Sequence, residues 1–148
     1  AFNEVAINRI GPAMIGVDVN VDGVDLPTYW GDGLLVATSS GSTGYSLSVG
    51  GPICTPDSKV LVIAPIAPHN LNLRPLVVPQ GSRIVMTVRS RDGRVMLTAD
   101  TMRAEVGADV RVEVAMAQFS LRRIRPARSN FILALKSKLF WGEDVRNI

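Results

Sequence analysis

The segment Gly41-Ser42-Thr43-Gly44-Tyr45-Ser46-Leu47-Ser48-Val49-Gly50-Gly51-Pro52 carries four glycines and five hydroxyl side chains in twelve residues. It follows an apolar, strand-like run from Leu34 to Thr38. Glycine lets a ligand approach the backbone closely, because no Cβ stands in the way. Ser and Thr hydroxyls donate and accept hydrogen bonds, which suits ribose hydroxyls, amides and phosphate oxygens. A turn of this kind at a strand end can hold a nucleotide. It lacks the lysine of a Walker A loop and the Gly-x-Ser-x-Gly spacing of a hydrolase elbow. No histidine lies near Ser42, Thr43, Ser46 or Ser48 in sequence to activate them. The turn therefore reads as a binding element and not as a nucleophile.

Other polar residues admit two readings each. Asn3-Glu4 heads the apolar run Val5-Ala6-Ile7. The pair either edges a strand or recognises a nucleoside, since a carboxylate can accept both vicinal hydroxyls of a ribose. Gly31-Asp32-Gly33 is either a plain turn or a presented carboxylate. His69, the single histidine, sits in the proline-rich stretch Pro65 to Pro75. It either ties that loop to the domain or meets a ligand. Arg74 serves a phosphate or a structural ion pair. Asp100 ends a strand as a turn cap or a ligand contact.

These residues need a scaffold, and the dominant pattern is strand-like. Val17, Val19 and Val21 alternate with Asp18, Asn20 and Asp22, and Asp22-Gly23 reads as a hairpin turn. Lys59 to Ala64, Ile84 to Val88 and Val95 to Thr98 are further strands, with Asp92-Gly93 turning one into the next. Val106, Val110, Val112 and Val114 continue the series around a bend at 107–109, and Phe119-Ser120-Leu121 gives one more strand. The expected fold is all-β: a layered β-sandwich of many short strands with one or two short helical segments. Residues 44–49 suit a short helix, and 130–139 suits a helix or a strand and turn.

At 148 residues the chain fits one domain with a real core. No apolar run is long enough to span a membrane, nothing at the start resembles a signal peptide, and Cys54 is the only cysteine. The expectation is a cytoplasmic protein with no membrane partner. From Arg111 onward eight Lys or Arg face three acids. With few aromatics interleaved, this basic third reads as surface or as a contact for phosphate or another subunit, and no nucleic-acid partner is expected. The strand-like start at Phe2 suggests one domain of a longer protein.

Taken in order, these segments resemble the carboxy-terminal domain of NAD kinases. Asn3-Glu4 is similar to that family's Asn-Glu pair, and Gly31-Asp32-Gly33 to its Asp-Gly. Gly41 to Tyr45 with Gly50-Gly51-Pro52 resembles its Thr-Pro-Thr-Gly-Ser-Thr-Ala-Tyr and Gly-Gly-Pro. Pro68-His69-Asn70-Leu71 with Arg74-Pro75 resembles its Pro-His-x-Leu-x-x-Arg-Pro loop. Leu135 to Gly142 resembles its closing Leu-x-x-Lys-Leu-x-Trp-Gly. The resemblance runs nearly end to end. It implies phosphorylation of the adenosine 2′-hydroxyl of NAD to give NADP, with ATP or polyphosphate as donor and a divalent metal such as Mg. It also implies an amino-terminal α/β domain as partner, and a homodimer or homotetramer. The NAD-binding residues it implies are Asn3, Glu4, Asp32, Thr43, Gly44, Tyr45 and Ser48, with Ser40, Ser42, His69 and Asp100 as further candidates. Asn3 and Glu4 would hold the ribose, and Thr43, Gly44 and Tyr45 would line the adenine pocket. Asp32 would meet the adenine or nicotinamide end, from its own subunit or a neighbouring one. The family's Gly-Gly-Asp-Gly motif, whose aspartate is thought to activate the 2′-hydroxyl, is absent, so no catalytic residue and no metal ligand falls in this chain and the fragment alone should be inactive. Ser39 and Ser40 stand where the family has Pro-Thr, and Gly44 where it has Ala. The alternatives are a related lipid kinase domain, acting on diacylglycerol or a sphingoid base, and a non-catalytic nucleotide-binding or assembly module. Asn3-Glu4, Tyr45 and the Pro68-His69 loop argue against the lipid kinase.

Overall fold

A computed structural model describes residues 1–122, 124 and 130–142. Its backbone divides into a unit of residues 1–116 and a smaller one of 117–148. The first unit holds eleven strands in two antiparallel sheets. The first sheet has the order β10 (Met102–Gly107), β9 (Arg94–Ala99), β1 (Glu4–Arg9), β5 (Gly33–Thr38), β6 (Val60–Ile66) and β7 (Leu76–Pro79). The second has the order β11 (Arg111–Val114), β8 (Ile84–Arg89), β2 (Ile15–Val21) and β3 (Val24–Asp25), with β4 (Tyr29–Gly31) also paired to β2.

Period-two patterning explains the layers. Val17 and Val19 turn inward from β2 to meet Ile84 and Met86 of β8, and Ile7, Leu34, Val36, Leu61 and Ile63 face them from the first sheet. The intervening residues of the first sheet, Ala6, Leu35, Ala37, Val62, Ala64 and Ile66, are buried on its opposite face, with Val49 and Cys54 packed on them. Strands buried on both faces read as continuous apolar runs, which is why Leu34 to Ala37 shows no alternation. The glycine-rich turn lies over this second face.

Asp22-Gly23 closes the hairpin of β2 and β3 as read from sequence. Asp92-Gly93 is a correction: β8 and β9, which it joins, lie in different sheets, so this turn carries the chain from one layer to the other instead of back along its neighbour. Asp22 and Gly23 have φ of 52° and 89°, the positive values that suit a two-residue turn between twisted strands. The turn region is helical, as a 3₁₀ turn at Ser40–Thr43 and a short helix α1 at Tyr45–Ser48. Phe119 to Leu121 is a correction: it forms no strand, and Phe119 and Leu121 are exposed with no partner strand among the described residues. In the second unit α2 (Phe131–Leu139) resolves the open choice at 130–139 as a helix. The Asn130 side chain caps it by accepting the N–H groups of Ile132 and Leu133 at 2.8 and 3.2 Å. Of the basic third, Arg123, Arg125, Arg128, Glu143, Asp144 and Arg146 lie outside the described residues.

Candidate functional site

The site is built where β1 begins and β5 ends. Glu4 of β1 stands opposite Ala37 of β5, so the start of one strand abuts the turn that leaves the other. Asn3 is fixed from that side by its carbonyl, which accepts the Thr38 N–H at 2.8 Å. The Thr38 hydroxyl donates to the Phe2 carbonyl at 2.7 Å and accepts the Gly41 N–H at 3.1 Å. Gly41 is pressed onto Asn3 so closely that a Cβ there would collide with its carbonyl oxygen and lie 2.8 Å from its Cα. Glycine at 41 is a packing requirement.

Glu4 then reaches the other half of the turn. A Cβ on Gly44 would lie 3.3 Å from its Oε2, so the carboxylate sits against the Gly44 backbone. Oε2 is buried and, among the described residues, has no hydrogen-bond partner. Burial first, and the nearby Asp100 charge second, push the Glu4 pKa up. The Tyr45 amide approaches closely enough to pull it down, short of a full hydrogen bond, and does not offset the rise. A buried acceptor without a partner is costly, and the carboxylate that carries it stands beside the exposed Gly44. Tyr45 stands over the same face of β1, with its hydroxyl donating to Asn8 Oδ1 at 3.4 Å. Thr43 is half-buried in the 3₁₀ turn, and Ser48 is exposed three residues beyond Tyr45, on the same side of α1.

Some sequence-derived candidates act inside the protein instead. Ser42 is fully buried; its hydroxyl donates to the Ser39 carbonyl at 2.7 Å and accepts the Cys54 N–H at 2.9 Å. It is a staple of the turn and not a ligand contact. The Asp100 carboxylate is also engaged, accepting the N–H groups of Phe2, Asn3 and Glu4. Arg74 donates to the carbonyls of Leu71 and Leu73, both at 2.7 Å, and so braces its own loop. His69 is exposed; it ties its loop to the body through its backbone N–H, which donates to the Trp30 carbonyl at 2.9 Å. Ser40 is half-buried in the turn. Ser39 has φ −54°, an angle proline also adopts, and its hydroxyl donates to the Ser58 carbonyl. A hydrogen bond thus restrains the turn where the family has a ring.

Asp32 is not brought to this cluster. Asn8 pairs with Gly33 while Glu4 pairs with Ala37, so Asp32 lies five residues along β5, roughly 16 Å away at about 3.3 Å per residue. Arg9 holds it there, with Nε 2.6 Å from Oδ1. His69, joined to Trp30, belongs to this second end. Sequence reading missed Arg9, Asn8 and Thr38 as supports; their pairing depends on strand register, which no local motif encodes. A groove of about 490 Å³ on the outer face of the second sheet, lined by Asp18, Asn20, Asp25, Thr28 and Arg89, lies elsewhere. Its polar groups already pair among themselves.

The fold and this turn are those of a known class of domain. Residues 2–126 match the family described as the ATP-NAD kinase C-terminal domain, and the chain belongs to that family. An NAD kinase of Christiangramia forsetii is 43% identical over 148 residues, covering 99% of this chain and 50% of the relative. A crystal structure of an NAD kinase from Archaeoglobus fulgidus in complex with ATP superposes with a TM-score of 0.72 at 33% identity, over 80% of this chain and 46% of that one. A yeast NADH kinase complexed with NADH shares the fold, with a TM-score of 0.84 at 24% identity over all of this chain and 46% of that one. The chain spans about half the length of the curated relatives it matches.

Proposed function

We propose that residues 1–148 form the NAD-recognising and oligomerising domain of an NAD kinase, a cytoplasmic enzyme that phosphorylates the adenosine 2′-hydroxyl of NAD. The observation that carries this is the Glu4 carboxylate, with one buried, unpartnered oxygen, set against Gly44 and Tyr45. Glu4 and Asn3 take the ribose hydroxyls, and Thr43, Gly44, Tyr45 and Ser48 take the adenine. Asp32, at the far end of β1 and β5, serves the other end of an extended dinucleotide or the site of a neighbouring subunit in a homodimer or homotetramer.

In the reaction the ribose 2′-oxygen bonds to the terminal phosphorus of ATP or polyphosphate. The bridging P–O bond breaks, and the 2′-hydroxyl proton leaves to a base outside this chain. These residues contribute position, on which such transfers mostly depend. A divalent metal belongs with the donor phosphates. Among the described residues no three His, Cys, Asp or Glu side chains gather to hold one.

Calorimetric titration of NAD into the complete polypeptide tests the reading, with a sphingoid base as comparator. Saturable NAD binding that is weakened by Glu4→Ala, with Tyr45→Ala weakening NAD and free adenosine alike, is the expected result. Affinity unchanged by Glu4→Ala removes Glu4 from the site. A response to the sphingoid base alone replaces the NAD reading with the lipid-kinase one.

A further inference from the structure

We infer that Asp100 is a positioning residue, whose carboxylate bends the Phe2–Glu4 segment so that the Asn3 and Glu4 side chains meet the ribose in one geometry; this rests on the NAD reading above. Asp100 closes β9 at a φ of 54° and heads the two-residue turn into β10. Its N–H donates to the Glu4 carbonyl at 3.0 Å, extending the ladder in which Val5 faces Ala99. Its carboxylate then folds over the start of β1. Oδ2 accepts the Phe2 N–H at 2.5 Å, and Oδ1 accepts those of Asn3 and Glu4 at 2.7 and 3.2 Å.

Successive N–H groups of a strand point to alternate sides, so three in a row cannot converge on one carboxylate unless the chain bends. The bend falls at Asn3. On its other side the same segment is held by Thr38 and Gly41. The residues proposed to hold the ribose are therefore gripped from both flanks. A turn at positive φ does not need a carboxylate, since glycine or asparagine would serve it. The acid at position 100 is accounted for by what it grips 96–98 residues earlier. Burial raises the Asp100 pKa, and the three N–H donors outweigh that and hold it below the ordinary carboxylate range, so the grip is charged at neutral pH.

The test uses the complete polypeptide and two variants. Asp100→Gly keeps the turn at positive φ and removes the carboxylate. Asp100→Asn keeps the size and one acceptor oxygen. The expected result is a rise in KM for NAD of about tenfold or more in Asp100→Gly, with the donor KM within about twofold. Asp100→Asn should fall between wild type and Asp100→Gly. In Asp100→Asn the acid limb of kcat/KM for NAD should also move to lower pH, because the charge that raises Glu4 is gone. Among the described residues, Asp100 and the Tyr45 amide are the groups acting on that carboxylate. A fall in kcat with both KM values unchanged, or both KM values rising together, would overturn the inference in favour of a purely structural role. Wild-type KM for NAD in Asp100→Gly would overturn it alone. A wild-type protein with no NAD affinity removes the functional reading and this inference with it.

Discussion

Replacing Gly41 with Ala should damage the fold and the site together. The new Cβ would overlap the Asn3 carbonyl oxygen and lie 2.6 and 2.8 Å from its carbonyl carbon and Cα. Ordinary contact begins near 3.4 Å, so the Asn3 backbone must retreat by most of an ångström or more. These are backbone atoms, and no side chain can rotate out of the way. Overpacking of this kind costs about 1–3 kcal/mol. The retreat also strains the 2.8 Å hydrogen bond from the Thr38 N–H to the Asn3 carbonyl, which adds about 1 kcal/mol if it breaks. The sum is about 2–4 kcal/mol. Gly44→Ala supplies the control, because its Cβ would sit 3.3 Å from Glu4 Oε2 and from the Gly41 carbonyl. A shift of a few tenths of an ångström accommodates that, and less than about 1 kcal/mol is expected. Urea unfolding of wild type and both variants, read by near-UV circular dichroism, measures the difference. Equal midpoints for Gly41→Ala and wild type would refute the packing argument.

The remaining predictions concern charge and core. Glu4 has a raised folded pKa, so its effect on stability is most favourable below about pH 4.5 and worsens as pH rises through the folded value. Glu4→Gln should gain in relative denaturation midpoint over that rise, while losing NAD affinity; a gap independent of pH would contradict it. Asp100 has the opposite sign: the stability it contributes is present above about pH 4 and is lost as pH falls through its depressed folded pKa. Acid unfolding of Asp100→Asn should therefore be the shallower, as followed by tyrosine and tryptophan fluorescence. Arg9→Ala and Asp32→Ala, in a double-mutant cycle, should show a coupling of about 1 kcal/mol, since both side chains are about one-third exposed. Ile63→Ala, at a fully buried position, should cost about 3–4 kcal/mol in a denaturant titration.

Local chemistry was legible and long-range pairing was not. Val17, Val19 and Val21 announce β2 because one face of it is apolar, and Asp22-Gly23 announces its turn because both residues accept positive φ. The Gly41 turn is readable from composition, since its geometry is set within a few residues. The short β4 and β7 escaped notice; β7, Leu76–Pro79, is a four-residue edge strand ending in proline. Phe119 to Leu121 misled in the other direction, because a β-prone triplet needs a partner strand. Asp100 stayed ambiguous between cap and contact because its partners are nearly a hundred residues away. Asp32 reads from sequence as a turn or a presented carboxylate, and its distance from Glu4 is set by the register of β1 on β5, which no local motif encodes.

The position of β1 in its sheet also sets the order in which the protein can assemble. β1 lies between β5 and β9 and is completed by neither alone. Its pairing with β9 joins Val5 to Ala99, a closure of more than ninety residues. Contacts of such sequence separation slow folding, because chain entropy is lost well before they form. During synthesis Asn3 and Glu4 emerge nearly a hundred residues before Asp100, and they wait for it before the bend that aims them exists. β1 can pair with β5 soon after it is made, but its other edge stays open until β9 follows, so the ribose-binding end is complete only once Asp100 has arrived.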